Sequence, residues 1–386
     1  MDAMKPFASI QRTAQRGAGI IEVMVGILIG MVVVLVIYNT LIVTEAFKRN
    51  TIGISDAQIT AQIAQFVLNR EIASGGNGVM SGIDELSRCD EWRLRPMPAL
   101  IHDSGNVNVS DDITVFYSNS PRVVHPISFG VSGTAGNPYP VISPNGFKVN
   151  DWVIGTETAS GATNCTLIQV TSITQHPSLA AYPPADVGGR IALTYALKAG
   201  TAFDFTTGSR AVNLGSRVTR TFYSVNAAKK QLDSLDDNPG VVGAAAVPVA
   251  QNVVLMKAQY GIDNNGDPLG LVDCWTPADN SLSCLNGDYS DTAFTVVPAP
   301  ANNAARIRSV KAVRVAIVVR SDDVIKQDSI AHADLVGQKA WLFNCAANNG
   351  TCQGRIQIDD TVLADYNRYR IYEATIPLRN SLWHPL

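Results

Sequence analysis

Hydrophobic positions are distributed along this chain in two contrasting ways. Near the start they form an almost unbroken run, GAGIIEVMVGILIGMVVVLVIYNTLIV, from Gly17 to Val43, and Val23 to Tyr38 carry no charge. As a helix, residues 18–43 extend ~39 Å at ~1.5 Å per residue. That length crosses a hydrocarbon core of ~30 Å. Polar residues then enter at Thr44, Glu45, Lys48 and Arg49. After Ser55-Asp56, a helix start signal, apolar side chains recur at Ile59, Ile63, Phe66 and Val67. This i, i+4, i+7, i+8 spacing marks an amphipathic helix, and the stripe is expected to pack on a globular head. Gly75-Gly76-Asn77-Gly78 stops the pattern. The prediction is one long helix over 18–74, membrane-buried in its first half, with Gly53 as the place for any kink.

From about Met80 the pattern changes to short runs of β-branched and aromatic residues between turn clusters. Ile113–Tyr117, Leu167–Thr174, Arg190–Ala196, Arg217–Val225 and Asn252–Tyr260 read as strands. The stretches SGTAGNPYPVISPNG and DDNPGVVGAAAVPVA read as loops. In VKAVRVAIVVR, Val313, Val315, Ile317 and Val319 share one face while Arg314 and Arg320 fall on the other. That alternation predicts a half-buried antiparallel strand. RIYEATIPLR reads as a closing strand, and Pro377 puts it at an edge. No second long helix and no repeat is evident. The fold class expected is α+β: a long N-terminal helix packed on a large antiparallel β-rich head.

Composition narrows the function classes. The 386 residues are 46% hydrophobic and 16% charged, which excludes a disordered chain. A net charge of -3 gives no basic field for nucleic acid, so no direct nucleic-acid binding is predicted. Cys89, Cys165, Cys274, Cys284, Cys345 and Cys352 form an even set without CxxC or His at metal spacing. Structural disulfides in an exported domain fit better than zinc. Cys274 with Cys284 and Cys345 with Cys352 are the shortest closures, but sequence alone leaves the pairing open.

The amino end carries Lys5, Arg12 and Arg16 against Asp2, so the chain starts in the cytoplasm and its bulk lies outside. A cleaved secretory signal would have an apolar core of only roughly 7–15 residues followed by small residues. An ordinary signal anchor explains everything except Glu22, a carboxylate inside the span and by default functional. Gly26 and Gly30 form a small-xxx-small pair that lets helices approach closely. The segment Arg16-Gly17-Ala18-Gly19-Ile20-Ile21-Glu22 resembles the class III leader of type IV pilins. The resemblance implies cleavage between Gly17 and Ala18 by a prepilin peptidase, and N-methylation of the Ala18 amine. The family usually has Phe where this chain has Ala18. Glu22 takes the family's acidic position. A buried carboxylate needs a cation, and the freed amine of this chain or a neighbour supplies one, setting axial register.

The C-terminal third is similar to the PilW family of type IV pilus minor pilins. The carriers are Gln259-Tyr260-Gly261-Ile262-Asp263 with Asn264-Asn265-Gly266-Asp267, then VKAVRVAIVVRS, then YNRYRIYEATIPLRN. Expected segments are a leader at 1–17, the helix at 18–74, a variable β-rich part at 75–250 and a PilW-like part at 251–386. The resemblance implies a minor pilin that primes type IV pilus assembly in the bacterial inner membrane. It would then sit at the pilus tip, with twitching motility, adhesion and DNA uptake depending on it. Implied partners are other minor pilins and the major pilin, the prepilin peptidase, the inner-membrane assembly platform and a tip adhesin. The head is expected in the periplasm. A type II secretion pseudopilin and a signal-anchored periplasmic enzyme are the alternatives.

Candidate chemistry is sparse. Asp263, Asn265 and Asp267 alternate as in a calcium loop, with Asp273 as a further ligand. Pro268 stands where an EF-hand needs Gly, and Cys274 takes the place of its final Glu. An Asx-rich hairpin turn is the preferred reading, with calcium as the alternative. The adjacent acids Asp111-Asp112, Asp322-Asp323 and Asp359-Asp360 would point to opposite faces of a strand. Tyr366, Tyr369 and Tyr372 read as packing at a sheet edge. GxSxG, HExxH, a Walker loop and GxGxxG are absent from the sequence. No enzyme and no cofactor is predicted.

Overall fold

The computed structural model describes residues 19–121, 125–143, 146–157, 164–175, 191–241, 243–266, 270–278, 284, 287–324, 340–343, 356–358 and 367–382. The chain divides into two compact units, residues 1–53 and 54–386. Helix α1 covers Ile20–Ser74. In the first unit, the span Ile20–Glu45 is long and apolar enough to cross a membrane, and none of it is buried within the chain.

In the second unit, the buried face of α1 is not the one expected from the large apolar residues. Ala57, Ala61, Ala64, Leu68 and Ile72 are buried, whereas Ile59, Ile63 and Phe66 are 53%, 47% and 67% exposed. Val67 lies between, partly buried. The helix has two apolar stripes, and periodicity cannot rank them. The alanine stripe has the smaller side chains and brings the helix backbone closest to the sheets, so it faces in. It meets Ile113, Val115, Tyr223 and Tyr260 in one core.

After α1 come the one-turn helix α2 (Ile83–Leu86) and the strands β1 (Ala99–His102) and β2 (Asp112–Ser118). The chain then leaves this sheet altogether. It builds β3 (Ile127–Ser128), β4 (Tyr139–Val141), β5 (Trp152–Thr156), β6 (Cys165–Gln175), β7 (Ile191–Gly200) and β8 (Arg210–Gly215). These form a separate antiparallel sheet in the order β3-β8-β5-β6-β7-β4 around an aromatic core of Phe129, Tyr139, Phe203 and Phe205. The chain returns as β9 (Val218–Asn226), which pairs directly with β2, Val218 opposite Ser118. The six-stranded sheet is therefore an insertion whose two ends meet at one residue pair. At that neck Gly215 adopts φ 84°, and a Cβ there would lie 2.8 Å from the Ser120 amide nitrogen. β10 (Gln231–Asp236) and β11 (Val247–Gln251) complete the first sheet in the order β1-β2-β9-β10-β11. Both stretches expected as loops thus contribute a short edge strand, β4 and β11. Their Gly and Pro residues mark the turns beside those strands but do not prevent short pairings at an edge.

A four-stranded antiparallel sheet follows, in the order β13-β12-β14-β17, from β12 (Val253–Ile262), β13 (Cys274–Thr276), β14 (Val310–Val324) and β17 (Asn367–Pro377). The short helices α3 (Asp291–Thr295) and α4 (Asn303–Ser309) lie between β13 and β14, and α5 (Arg379–Leu382) follows β17. β15 (Ala340–Leu342) and β16 (Ile356–Ile358) make a small hairpin-like pair. β17 is the edge strand expected from Pro377. β14 is not half-buried: Val310 to Val319 are buried on both faces. Val313, Val315, Ile317 and Val319 enter the core shared with α1. The opposite face, Ala316 and Val318, is covered by Leu342 and Phe343. Arg314 survives there because its guanidinium lies 4.7 Å from the Trp275 ring and 4.6 Å from the Phe343 ring, and it donates to Gln259 Oε1 at 2.8 Å. Burial pulls it down to about 10.

Two disulfides and several buried cations fasten the head. Cys89 joins Cys165 and so ties the segment after α2 to β6 of the inserted sheet. Cys274 joins Cys284 and closes the loop after β13. Arg95 has no carboxylate hydrogen bond among those described. Its guanidinium donates to the carbonyls of Cys89, Phe294 and Val296, and burial pulls it down to about 10. Lys257 Nζ lies 2.6 Å from Asp111 Oδ1, both nearly inaccessible, while Asp111 Oδ2 accepts from the Ala258 amide at 3.0 Å. Burial pushes the Asp111 carboxyl up, against the pull of Lys257. The pair joins β12 to the residue that precedes β2.

Candidate assembly surface

Two stretches of helix α1, one in each unit, carry the residues singled out from the sequence. In the first, Glu22 lies in the opening turn, with its amide donating to the Gly19 carbonyl at 2.9 Å. Its carboxylate is exposed among side chains that are apolar and exposed throughout. A Cβ built on Gly26 or Gly30 meets nothing within 4 Å, so both glycines present open backbone. Such a surface in water would forfeit roughly 1.5–3 kcal/mol for every large apolar side chain. It requires lipid or other helices around it. Gly17 and Ala18, the expected cleavage pair, lie outside the described residues.

In the second unit, the ridge Ile59, Ile63 and Phe66 is made of uncovered apolar side chains. Beside its far end is an open groove of about 510 Å³ where α1 leaves the first sheet uncovered. Thr219, Thr221 and Ser234 line it together with Glu71, Tyr117 and Val247. Glu71 is held by Arg70 at 2.7 Å and by the Tyr117 hydroxyl, which donates at 2.8 Å. Burial, with help from Glu71, pushes Tyr117 up to about 12. Sequence reasoning found the ridge residues but assigned them to the core. It missed the groove, because strands distant in the chain create it.

The loop expected to be a hairpin turn or a calcium site joins β12 to β13. Asp273 Oδ1 accepts from the Asn264 amide at 2.9 Å, and the buried Asp263 donates through its amide to the Ser309 carbonyl at 2.8 Å. Asp267 lies outside the described residues. Among the described residues, no group of three or more His, Cys, Asp or Glu side chains is placed to hold a metal ion. Of the six cysteines, four form the two disulfides above, and Cys345 and Cys352 lie outside the described residues.

One arrangement resembles a hydrolytic relay: Asp291, His102 and Thr114 are linked through the imidazole at 2.8 and 2.9 Å. Thr114 is only 1% exposed, so its hydroxyl has no access to a substrate.

Residues 223–380 match the family model described as Type IV Pilus-assembly protein W. No curated protein and no solved structure matches the chain. The matched region begins within β9 and extends through β12, β14 and β17 to α5. It takes in the second half of β9 but neither the inserted sheet nor the neck at Gly215 to Val218. The match supports a role related to type IV pilus assembly, and the apolar helix fits a single-pass anchor with a soluble head.

Proposed function

We propose that the chain is a minor pilin that helps prime type IV pilus assembly and takes a low-copy place at the pilus tip. The observation that carries this reading is a pilus-assembly match behind a helix whose apolar residues stay uncovered, from the span through the ridge Ile59, Ile63 and Phe66. A soluble enzyme with an incidental anchor has no need of such a ridge beyond the membrane. The steps follow from the chemistry. The leader is cut between Gly17 and Ala18, and the new amine is methylated. The amine of this or a neighbouring helix pairs with Glu22 and fixes the axial offset of the helices. Gly26 and Gly30 permit close approach, and the ridge of the second unit offers a further apolar contact.

The large periplasmic head with its inserted sheet fits poorly along a thin fibre and suits a terminal position. Other minor pilins, the major pilin and the inner-membrane platform are the partners this reading requires. The deciding experiment is a deletion strain scored for surface pili and for exoprotein export. Loss of pili with export intact supports the proposal. Lost export with normal pili would identify a type II secretion pseudopilin instead. Immunogold labelling confined to fibre ends is expected, and even labelling along the shaft refutes the tip position.

A further inference from the structure

Lys257 stands in the middle of β12, a strand buried along almost its whole length, and its side chain reaches Asp111, which precedes β2. Nζ lies 2.6 Å from Asp111 Oδ1, and both side chains are almost closed to water. The backbone holds the two segments together at this point. The Asp111 amide donates to the Met256 carbonyl at 2.8 Å, and the Met256 amide donates to Ser110 Oγ at 3.2 Å. The other carboxyl oxygen, Oδ2, accepts from the Ala258 amide at 3.0 Å. Ser104 Oγ lies 3.1 Å from Nζ and 3.4 Å from Oδ1, and Ser104 is exposed to solvent. An amine, a carboxyl group, an N–H donor on one carboxyl oxygen and a hydroxyl beside the other are the parts that amide formation needs.

We infer that Lys257 and Asp111 condense into an intramolecular amide bond that joins β12 covalently to the segment before β2. The lone pair of Nζ attacks the Asp111 carboxyl carbon and forms the new C–N bond. Negative charge gathers on Oδ2, which the Ala258 amide already faces. The intermediate collapses by breaking the bond from carbon to Oδ1. Nitrogen keeps one of the three hydrogens of the ammonium, and the other two leave with Oδ1 as water. The Ser104 hydroxyl is within reach of both nitrogen and Oδ1 and can pass a proton between them, and its exposure gives the water a way out.

The surroundings favour the reactive forms. Burial is the largest influence on the Asp111 carboxyl and pushes it up; Lys257 pulls it down, and Asp103 adds to the rise. A proton handed across the contact turns the ion pair into a free amine and a neutral acid, which carry no charge into a poorly solvated interior. Holding both reactants in one place makes the step unimolecular. The product exchanges two buried charges for one neutral amide and links positions 146 residues apart.

The test is mass spectrometry of the full chain purified from cells and reduced to open its disulfides. The tryptic digest should contain a branched peptide in which the Lys257 and Asp111 segments are joined, one water lighter than their sum, with no cleavage after Lys257. Lys257→Arg keeps a cation opposite Asp111 but has no amine to acylate, so its digest should give the two segments separately at full mass. Complete cleavage after Lys257 in the native chain, with no branched peptide, overturns the inference. So does a water loss at Asp111 that persists in Lys257→Arg. The native digest alone decides the matter if the variant does not fold.

Discussion

Phe66 and Leu68 stand two residues apart on opposite sides of α1, and replacing each by alanine separates the two faces. Leu68 is 1% exposed and sits in the core with Ile72 and Tyr223. Its truncation removes a buried side chain and leaves a cavity, a change that costs about 2–5 kcal/mol. Phe66 is 67% exposed, so only a third of its surface is withdrawn from water. A fully buried Phe contributes about 3 kcal/mol at most, which leaves about 1 kcal/mol for this one. For a head of this size, about 1 kcal/mol moves Tm by roughly 2 °C. Near-UV circular dichroism of the full chain in detergent, followed through thermal unfolding, reads the difference. Leu68→Ala should lower Tm by roughly 4–10 °C and Phe66→Ala by roughly 2 °C or less. Phe66→Ala should nevertheless reduce surface piliation, because its ring serves contacts between chains. If Phe66→Ala unfolds as early as Leu68→Ala, the ring belongs to the core and the uncovered ridge is an error. If it is stable and fully piliated, the ridge has no part in assembly.

Three further outcomes follow from the same reasoning. Gly17→Ala should leave the leader attached, seen by intact mass as retention of the first 17 residues. Glu22→Ala should still insert and be processed, yet assemble poorly; normal piliation would contradict the register role of the carboxylate. Cys89→Ser with Cys165→Ser opens a connection spanning 76 residues, whereas Cys274→Ser with Cys284→Ser opens one spanning 10. Chain-entropy arguments put these near about 4.5 and about 2.7 kcal/mol, so urea midpoints should fall further for the first pair; the reverse order would refute that account.

Much of the architecture was legible because local patterning decides it. The uncharged run after Glu22, the β-branched segments that became β2, β6, β7, β9, β12 and β14, and Pro377 at the edge all act over a few residues. Three features were not legible, each for a non-local reason. The inward face of α1 depends on which stripe the sheets can approach most closely, and alanine carries little weight in a hydrophobic pattern. The second buried face of β14 depends on Leu342 and Phe343, which arrive from a separate strand pair. The cluster of His102 with Asp291 joins residues 189 positions apart, and no spacing rule connects them. By contrast, Glu22 was conspicuous from sequence alone, because a carboxylate among so many aliphatic side chains breaks the pattern it sits in.

The insertion between Ser118 and Val218 also sets a problem in time. β2 emerges during synthesis long before β9, the strand it must pair with. An unstructured connection of that length would have to be brought together from a wide range of separations, with an entropic penalty that grows as its logarithm. If the intervening sheet condenses first around Phe129 and Tyr139, it delivers its own exit beside its own entrance. The two halves of the outer sheet then meet as though joined by a tight turn. On this view the inserted sheet acts during folding as a spacer that removes the distance it creates, and nascent chains stalled before Gly215 should hold β2 paired with β1 alone, its other edge open.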